Sequence, residues 1–146
     1  MKQNKLFSAA IALCMIAIFM MSWMPLPQSG VVSNSLSFAK PTPVWLTTTT
    51  TGGNPNVRTG TFTASPELGT SGTYVMNIQY FGQAFHCTTT FSPTGGDEFT
   101  LFSECQKTLF TGQWQAVSGT GIYANLRGNG SIVMGHGHEM VTGRVF

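Results

Sequence analysis

The chain has 146 residues and a formal net charge of +2 at pH 7, with 8% charged residues against 42% hydrophobic ones. Lys2 and Lys5 account for the excess charge, because the bases and acids from Lys40 to Phe146 balance one another. A neutral domain with scattered charges has no electrostatic footprint for nucleic acid or for another acidic polymer. The residues from Lys40 onward are enough for one domain with one core.

The N-terminal segment has the order of features found in a secretory signal. After the two lysines comes an uncharged apolar run, Leu6–Met24, which Pro25 ends. We predict a signal peptide over residues 1–39, cleaved after Ala39, with Ser33 as the competing site, because small side chains suit the peptidase. The run is also close to the length that spans a bilayer, so an uncleaved membrane anchor is the alternative. Both outcomes place the rest of the chain outside the cytoplasm, as a secreted or extracytoplasmic protein.

Residues 40–56 are predicted to form an extended, linker-like arm ahead of a β-barrel domain at residues 57–146. The arm contains Pro41 and Pro43, five consecutive threonines at Thr47–Thr51, and then glycines and a further proline. Such a tract has little apolar surface to bury, so it is expected to be extended. Val44–Leu46 is the one part that offers an apolar contact to the body of the protein.

After the arm, the sequence is typical of short strands separated by turn residues. Apolar and polar residues alternate with a period of two, which buries one face of a strand and exposes the other, and no 3.6-residue period is present. A last hairpin is predicted from Ser131–Met134 and Glu139–Phe146 around the turn Gly135–His138. The inward sets are Tyr74, Met76, Ile78 and Tyr80; Phe85, Cys87, Thr89 and Phe91; Phe99, Leu101, Ser103 and Cys105; and Trp114 with Ala116.

Seven or eight such strands at close spacing predict an all-β fold, either an antiparallel barrel or a sandwich. We favour a single antiparallel β-barrel of about eight strands, because a closed barrel leaves no bare edge strand in a threonine-rich protein.

The segment Ser118–Gly130, SGTGIYANLRGNG, resembles the glycine-rich signature of small secreted bacterial β-barrel proteins related to the allene oxide cyclase and dirigent superfamily. Gly112–Trp114 and Thr142–Phe146 resemble the flanks of the same signature. The resemblance implies an eight-stranded, calycin-like barrel with one open end. Plant members close an epoxide into a cyclopentenone or orient radical coupling, but the resemblance carries no catalytic residue over to this chain, since a shared fold does not fix function.

The residues that could bind a metal or act as a nucleophile do not form a convincing constellation. His136 and His138 are two positions apart, so their side chains point the same way on an extended segment, and Glu139 or His86 could add a ligand. Zinc needs three or four converging ligands, whereas here two are local, so we predict a solvated turn and no bound metal. Cys87 follows His86, but adjacent residues of a strand point to opposite faces. No catalytic residue and no cofactor are predicted.

Aromatic side chains on inward positions predict either a filled barrel or a cavity for one small apolar ligand. The function that follows is a secreted binding or interaction protein without catalytic activity, whose partner is a small apolar molecule or a surface partner. The alternative is a cofactor-free cyclase or isomerase, in which a shaped apolar cavity folds a reactive substrate. The candidate ligand-binding residues are Tyr74, Tyr80, Phe85, Trp114 and Arg127, with Glu104 as a further polar group at the barrel mouth.

Cys87 and Cys105 are predicted to form a disulfide, because thiols outside the cytoplasm normally oxidise. If Gly95–Asp97 make a three-residue hairpin loop, Cys87 lies opposite Cys105 on one face of the sheet, close to disulfide reach. The same register sets Phe91 opposite Leu101. A two-residue loop would turn the two apolar sets to opposite faces, so the longer loop is predicted.

Overall fold

The computed structural model describes Leu36 and residues 40–146. The predicted signal peptide and both predictions for its processing lie outside the described residues, Leu36 apart. In the part of the chain that is described, no helix is long and apolar enough to cross a membrane.

Eight antiparallel strands close into a barrel, which confirms the all-β barrel predicted from the alternating pattern. Each strand pairs with its neighbours in sequence, and the last strand pairs with the first. Two 3₁₀ turns lie in the connections, at Pro66–Leu68 and Gly121–Tyr123. The strands are β1 (Thr42–Asn54), β2 (Val57–Ala64), β3 (Ser71–Phe81), β4 (Ala84–Pro93), β5 (Phe99–Gln106), β6 (Thr111–Gly119), β7 (Gly128–Met134) and β8 (Glu139–Val145).

The segment expected to be an arm is the strand that closes the barrel. Leu46 pairs with Ala64 of β2 on one side and with Val141 of β8 on the other, and its side chain is fully buried. Thr48 is also buried, so the threonines alternate between core and solvent instead of remaining in a solvated linker. The barrel therefore begins at Thr42, and not at residue 57 as predicted, because threonine suits a half-buried pleated strand.

The predicted register between β4 and β5 is wrong by two residues. Cys87 pairs with Ser103, and Cys105 pairs with Phe85. A shift of two residues leaves every side chain on its predicted face, so the hydrophobic pattern did not distinguish the two registers. Both cysteines are buried, and both are free thiols in the structure.

Contacts to the β6–β7 connection explain the longer β4–β5 loop. The Asp97 carboxylate accepts a hydrogen bond of 3.0 Å from the backbone N–H of Ile122. Glu98 exchanges two bonds with Thr120: its N–H donates to the Thr120 hydroxyl, and the Thr120 N–H donates to its carbonyl, each at 2.8 Å. These contacts hold both acidic residues away from the hairpin ladder, so β5 begins only at Phe99.

Aromatic side chains fill the barrel at the end where β2 meets β3, β4 meets β5 and β6 meets β7. The rings of Phe62 and Phe91 pack edge to face at 5.1 Å, and Phe91 stacks on Phe99 at 5.0 Å. Tyr123 of the 3₁₀ turn packs on Phe99 at 5.1 Å and is itself buried. Aromatic side chains pack this end of the barrel, because rings at such distances are in direct contact.

Glycines in β7 and β8 make room for the indole of Trp114. A Cβ built on Gly130 or Gly143 would lie 2.7 Å or 2.6 Å from indole atoms, closer than any real Cβ contact. The indole Nε1 donates a 2.9 Å hydrogen bond to the carbonyl of Thr142. The glycines of β7 and β8 thus let a large ring lie close to the backbone of these two strands.

Candidate functional site

The other end of the barrel contains a cavity of about 520 Å³. It lies where β2 begins, β3 ends, β4 begins, and the β5–β6 and β7–β8 connections turn back. Its volume is within the range of small-molecule sites, roughly 300–1,000 Å³. The lining residues are Arg58, Ile78, Tyr80, Phe85, Lys107, Phe110, Met134, Gly135, His136 and Gly137.

The wall of the cavity is mostly apolar. Ile78, Phe85 and Met134 are buried core residues at the floor, where alternating inward positions of β3, β4 and β7 converge. Tyr80 and Phe110 form the rim, with 48% and 52% of their surface exposed. The rings of Tyr80 and Phe85 lie 6.1 Å apart. Half-exposed aromatics above a buried apolar floor are what a site needs to cover an apolar ligand.

Phe110 is at the rim with a backbone conformation that aromatic residues rarely adopt. Its φ is +52°, in the left-handed region that favours glycine. Two backbone bonds hold it there: its N–H donates to the carbonyl of Gln106 at 2.9 Å, and its carbonyl accepts from the N–H of Met134 at 2.7 Å. Such a conformation persists only where surrounding contacts fix it, and such residues cluster at ligand sites.

Arg58, the second residue of β2, brings a positive charge to the cavity. Its Nη1 lies 3.1 Å from Oε1 of Glu139, whose side chain is fully buried, while a third of the Arg58 side chain is exposed. The two residues come from strands that are not neighbours, since β1 lies between β2 and β8. The pair therefore spans the interior of the barrel.

Glu139 belongs to a polar layer inside the otherwise apolar barrel. Its backbone N–H donates to the Thr48 hydroxyl at 3.0 Å, and the Thr50 hydroxyl lies 2.8 Å from the Tyr74 hydroxyl. Burial raises the pKa of the Glu139 carboxyl above its usual value, and the nearby charge of Arg58 only partly offsets that rise. The second carboxyl oxygen, Oε2, is buried and makes no hydrogen bond within the part of the chain that is described.

Two further basic side chains line the cavity above Arg58. The Nζ of Lys107 lies 5.1 Å from the centre of the Tyr80 ring, within range of a cation–π contact. His136 lies in the turn between β7 and β8, which a 2.6 Å bond from the Gly135 N–H to the His138 carbonyl closes. The lining includes no aspartate or glutamate. This end of a neutral domain is therefore locally positive.

The five residues predicted to bind a ligand are divided between this cavity and other parts of the barrel. Tyr80 and Phe85 line the cavity. Tyr74 and Trp114 are buried in the core, where their polar atoms bond Thr50 and Thr142. Arg127 is exposed in the β6–β7 connection, at the filled end. The four aromatic residues of the set thus mark inward positions, only some of which reach the open end, and Arg127 lies outside the cavity.

Glu104 does not lie at the barrel mouth, and the histidine pair does not form a cluster of metal ligands. Glu104 is on the outer wall, 3.5 Å from the imidazole of His86. The Nδ1 of His138 lies 3.3 Å from the carbonyl oxygen of Thr48. Across the described residues, no group of three histidine, cysteine or acidic side chains is placed to hold a metal ion.

Sequence reasoning did not single out Arg58 or Lys107. Arg58 follows the turn at Pro55–Asn56, and Lys107 follows the last residue of β5, so neither lies within an alternating apolar set. The signal that could have found them is positional, because charged residues at strand ends meet at one mouth of an antiparallel barrel. Using that signal requires the strand ends, which the pattern alone gave only approximately.

No family model, curated protein or solved structure matches the chain. The class of protein is therefore the one that its geometry defines, namely a closed eight-stranded β-barrel with one filled end and a cavity of ligand size at the other.

Proposed function

We propose that this chain is an extracytoplasmic binding protein that holds a small, largely apolar molecule in the cavity at the open end of its barrel. One observation carries the proposal: aromatic side chains fill one end, whereas Ile78, Phe85 and Met134 enclose about 520 Å³ at the other. Eight-stranded barrels either fill their interior or hold one small ligand. The placement outside the cytoplasm depends on the charge and hydropathy of residues 1–39.

Binding is favoured over catalysis by the position of the ionisable groups. A cyclase or isomerase that used a carboxyl group as its acid or base would need that carboxyl to reach the reacting atom. The described lining contains no carboxyl, and that of Glu139, which contacts Arg58, is fully buried and is not part of the lining. The relationship to the allene oxide cyclase and dirigent superfamily stays a hypothesis, and it is compatible with either function.

The proposal is tested with N-phenyl-1-naphthylamine, a neutral aromatic probe whose fluorescence rises in an apolar site. The protein is purified after expression of the full chain, and the probe is titrated into it. We expect saturable binding of one molecule per chain. Met134→Trp fills the cavity from its floor and should abolish the signal, because Met134 is buried and lines the cavity.

Val133→Trp is the matched control, since Val133 is the neighbouring residue on β7 and faces the solvent. It adds the same indole outside the barrel and should leave binding unchanged. Circular dichroism establishes that both variants fold, and Ile78→Phe provides a second, smaller filling of the same cavity. Probe binding that is unaffected by Met134→Trp and Ile78→Phe would disprove the proposal.

A further inference from the structure

We infer that the molecule held in this cavity is an organic anion, with an apolar body on the aromatic wall and an anionic group bound by the Arg58 guanidinium. This inference rests on the proposed function and specifies its ligand class.

The first argument is the one-sided contact between Arg58 and Glu139. A guanidinium has five N–H donors in a planar fork, and it usually grips a carboxylate with two parallel bonds. Here only Nη1 reaches Glu139, through Oε1 at 3.1 Å, and the buried Oε2 has no hydrogen-bond partner among the described residues. Glu139 therefore uses only one nitrogen of the Arg58 guanidinium.

The unsatisfied carboxyl oxygen shows that this arrangement has a cost. A buried acceptor without a partner destabilises the folded protein, and the cost is larger for a charged group. The Arg58 guanidinium makes no hydrogen bond to Oε2; a third of its side chain is exposed, and it lines the cavity. The remaining N–H donors of Arg58 are thus available to a group in the cavity.

The second argument is the charge of the lining. Arg58, Lys107 and His136 are the ionisable side chains of the lining apart from the phenol of Tyr80, and all three are basic. Glu139 offsets Arg58 in part, but Lys107 has no acidic partner within the described part of the chain and lies over the Tyr80 ring. A cleft with one sign of charge and apolar walls attracts a ligand of the opposite sign.

The apolar wall excludes a bare inorganic anion as the best ligand. The side chains of Ile78, Phe85 and Met134 stabilise a complex by contact with apolar ligand surface. Each Å² of apolar surface removed from water contributes roughly 25 cal/mol. A small hydrated anion would leave that surface wet. The combined chemistry selects a molecule with an apolar body and one anionic end.

A matched pair of probes tests the inference: N-phenyl-1-naphthylamine and 8-anilino-1-naphthalenesulfonate share one aromatic skeleton, and only the second has a sulfonate. We expect the sulfonate probe to bind about tenfold more tightly, as one charge-assisted hydrogen-bonded contact provides. Arg58→Gln combined with Glu139→Gln should abolish that preference while the affinity for the neutral probe changes less than about twofold. The double variant avoids leaving Glu139 buried without a partner.

Arg58→Lys and Arg127→Gln complete the set. Arg58→Lys keeps the charge beside Glu139 but loses the fork, so part of the preference should remain. Arg127→Gln removes one positive charge at the filled end and should change neither affinity. Equal affinities of the two probes for the natural protein, or an unchanged preference in the double variant, would overturn the inference while the proposed binding function stands. A wrong assignment of the binding cavity would give a different result, namely binding of the neutral probe that survives Met134→Trp.

Discussion

Among single residues, Glu139 links the stability of the barrel to pH. Its side chain is fully buried, and its folded pKa is raised above the usual 4.5 by burial. Between these two pKa values the folded protein retains a proton that the unfolded chain has lost. The stability contributed by this group is therefore fully present below about pH 4.5 and is lost as the pH rises through the folded pKa.

We expect Glu139→Gln to remove that loss, because an amide does not titrate. The free energy of unfolding, measured with urea at several pH values from about 4 to 8, should decline less with pH in the variant. Each unit of the pKa shift corresponds to about 1.4 kcal/mol. Glu104→Gln, on the exposed outer wall, should leave the slope as it is in the natural protein. Parallel curves for all three proteins would contradict this account.

Cys87 and Cys105 provide a second prediction for single residues. Burial raises the pKa of Cys87 to about 12 and that of Cys105 to about 11, so little reactive thiolate is present at neutral pH. In the observed register the two residues are diagonal neighbours. Their Cα atoms are then roughly 7–8 Å apart, which is too far for an unstrained disulfide.

We therefore expect iodoacetamide to label neither thiol in the folded protein and both after denaturation, as mass spectrometry would show. The disulfide predicted from the sequence stays a prediction that the same experiment decides. A protein that takes no label after denaturation unless a reductant is added would contain the bond, and β4 and β5 would then adopt the directly opposed register.

For the elements, the strand pattern predicted much of the fold but not its details. Alternation placed Phe85, Phe91 and Leu101 on the inner face, where they lie. It did not distinguish registers that differ by two residues, because the bonds from Asp97 and Glu98 to the β6–β7 connection decide between them. Those bonds join residues more than twenty positions apart, and no local pattern records them.

The strand β1 and the cavity were hard to predict from the sequence for related reasons. The β1 strand is rich in threonine, a residue that serves equally in a solvated linker and a half-buried strand. Only its two-sided pairing, with Ala64 and with Val141, shows that Leu46 is a core residue. Arg58 and Lys107 likewise become site residues only when the barrel brings strand ends together.

The packing of Trp114 on β7 and β8 gives a prediction for an element. Gly130→Ala would place a Cβ in collision with the Thr142 carbonyl oxygen and 2.7 Å from the indole Nε1. We expect a loss of at least about 2 kcal/mol in the free energy of unfolding, since overpacking displaces backbone as well as side chains. The measurement is urea denaturation followed by tryptophan fluorescence.

Gly95→Ala is the control for this substitution. Its Cβ would have nothing within 4 Å, and its φ is not in the left-handed region. The expected change is within about 1 kcal/mol, with a tendency to stabilise, because alanine narrows the unfolded ensemble. Equal effects of the two substitutions would show that the indole does not lie against the glycine backbone.

Over the whole molecule, the barrel combines a packed end with an end whose interior is available to a ligand. The two ends should differ in local stability, because opening costs less where fewer apolar contacts are lost. Backbone bonds report on each end: the Met134 N–H donates to Phe110 beside the cavity, and the Ala64 N–H donates to Thr70 at the packed end, both at 2.7 Å.

We expect the Met134 amide to exchange its hydrogen faster than the Ala64 amide in the free protein, as measured by NMR. A ligand that binds only when the cavity end is folded stabilises that end by mass action. The stabilisation is about 2.7 kcal/mol at a ligand concentration of 100 times its Kd. N-phenyl-1-naphthylamine should therefore slow exchange at Met134 much more than at Ala64. In the Met134→Trp variant, where the cavity is filled, the probe should change neither rate. Equal slowing at both ends of the natural protein would mean that the barrel opens only as a whole, and that the cavity end has no separate stability for a ligand to increase.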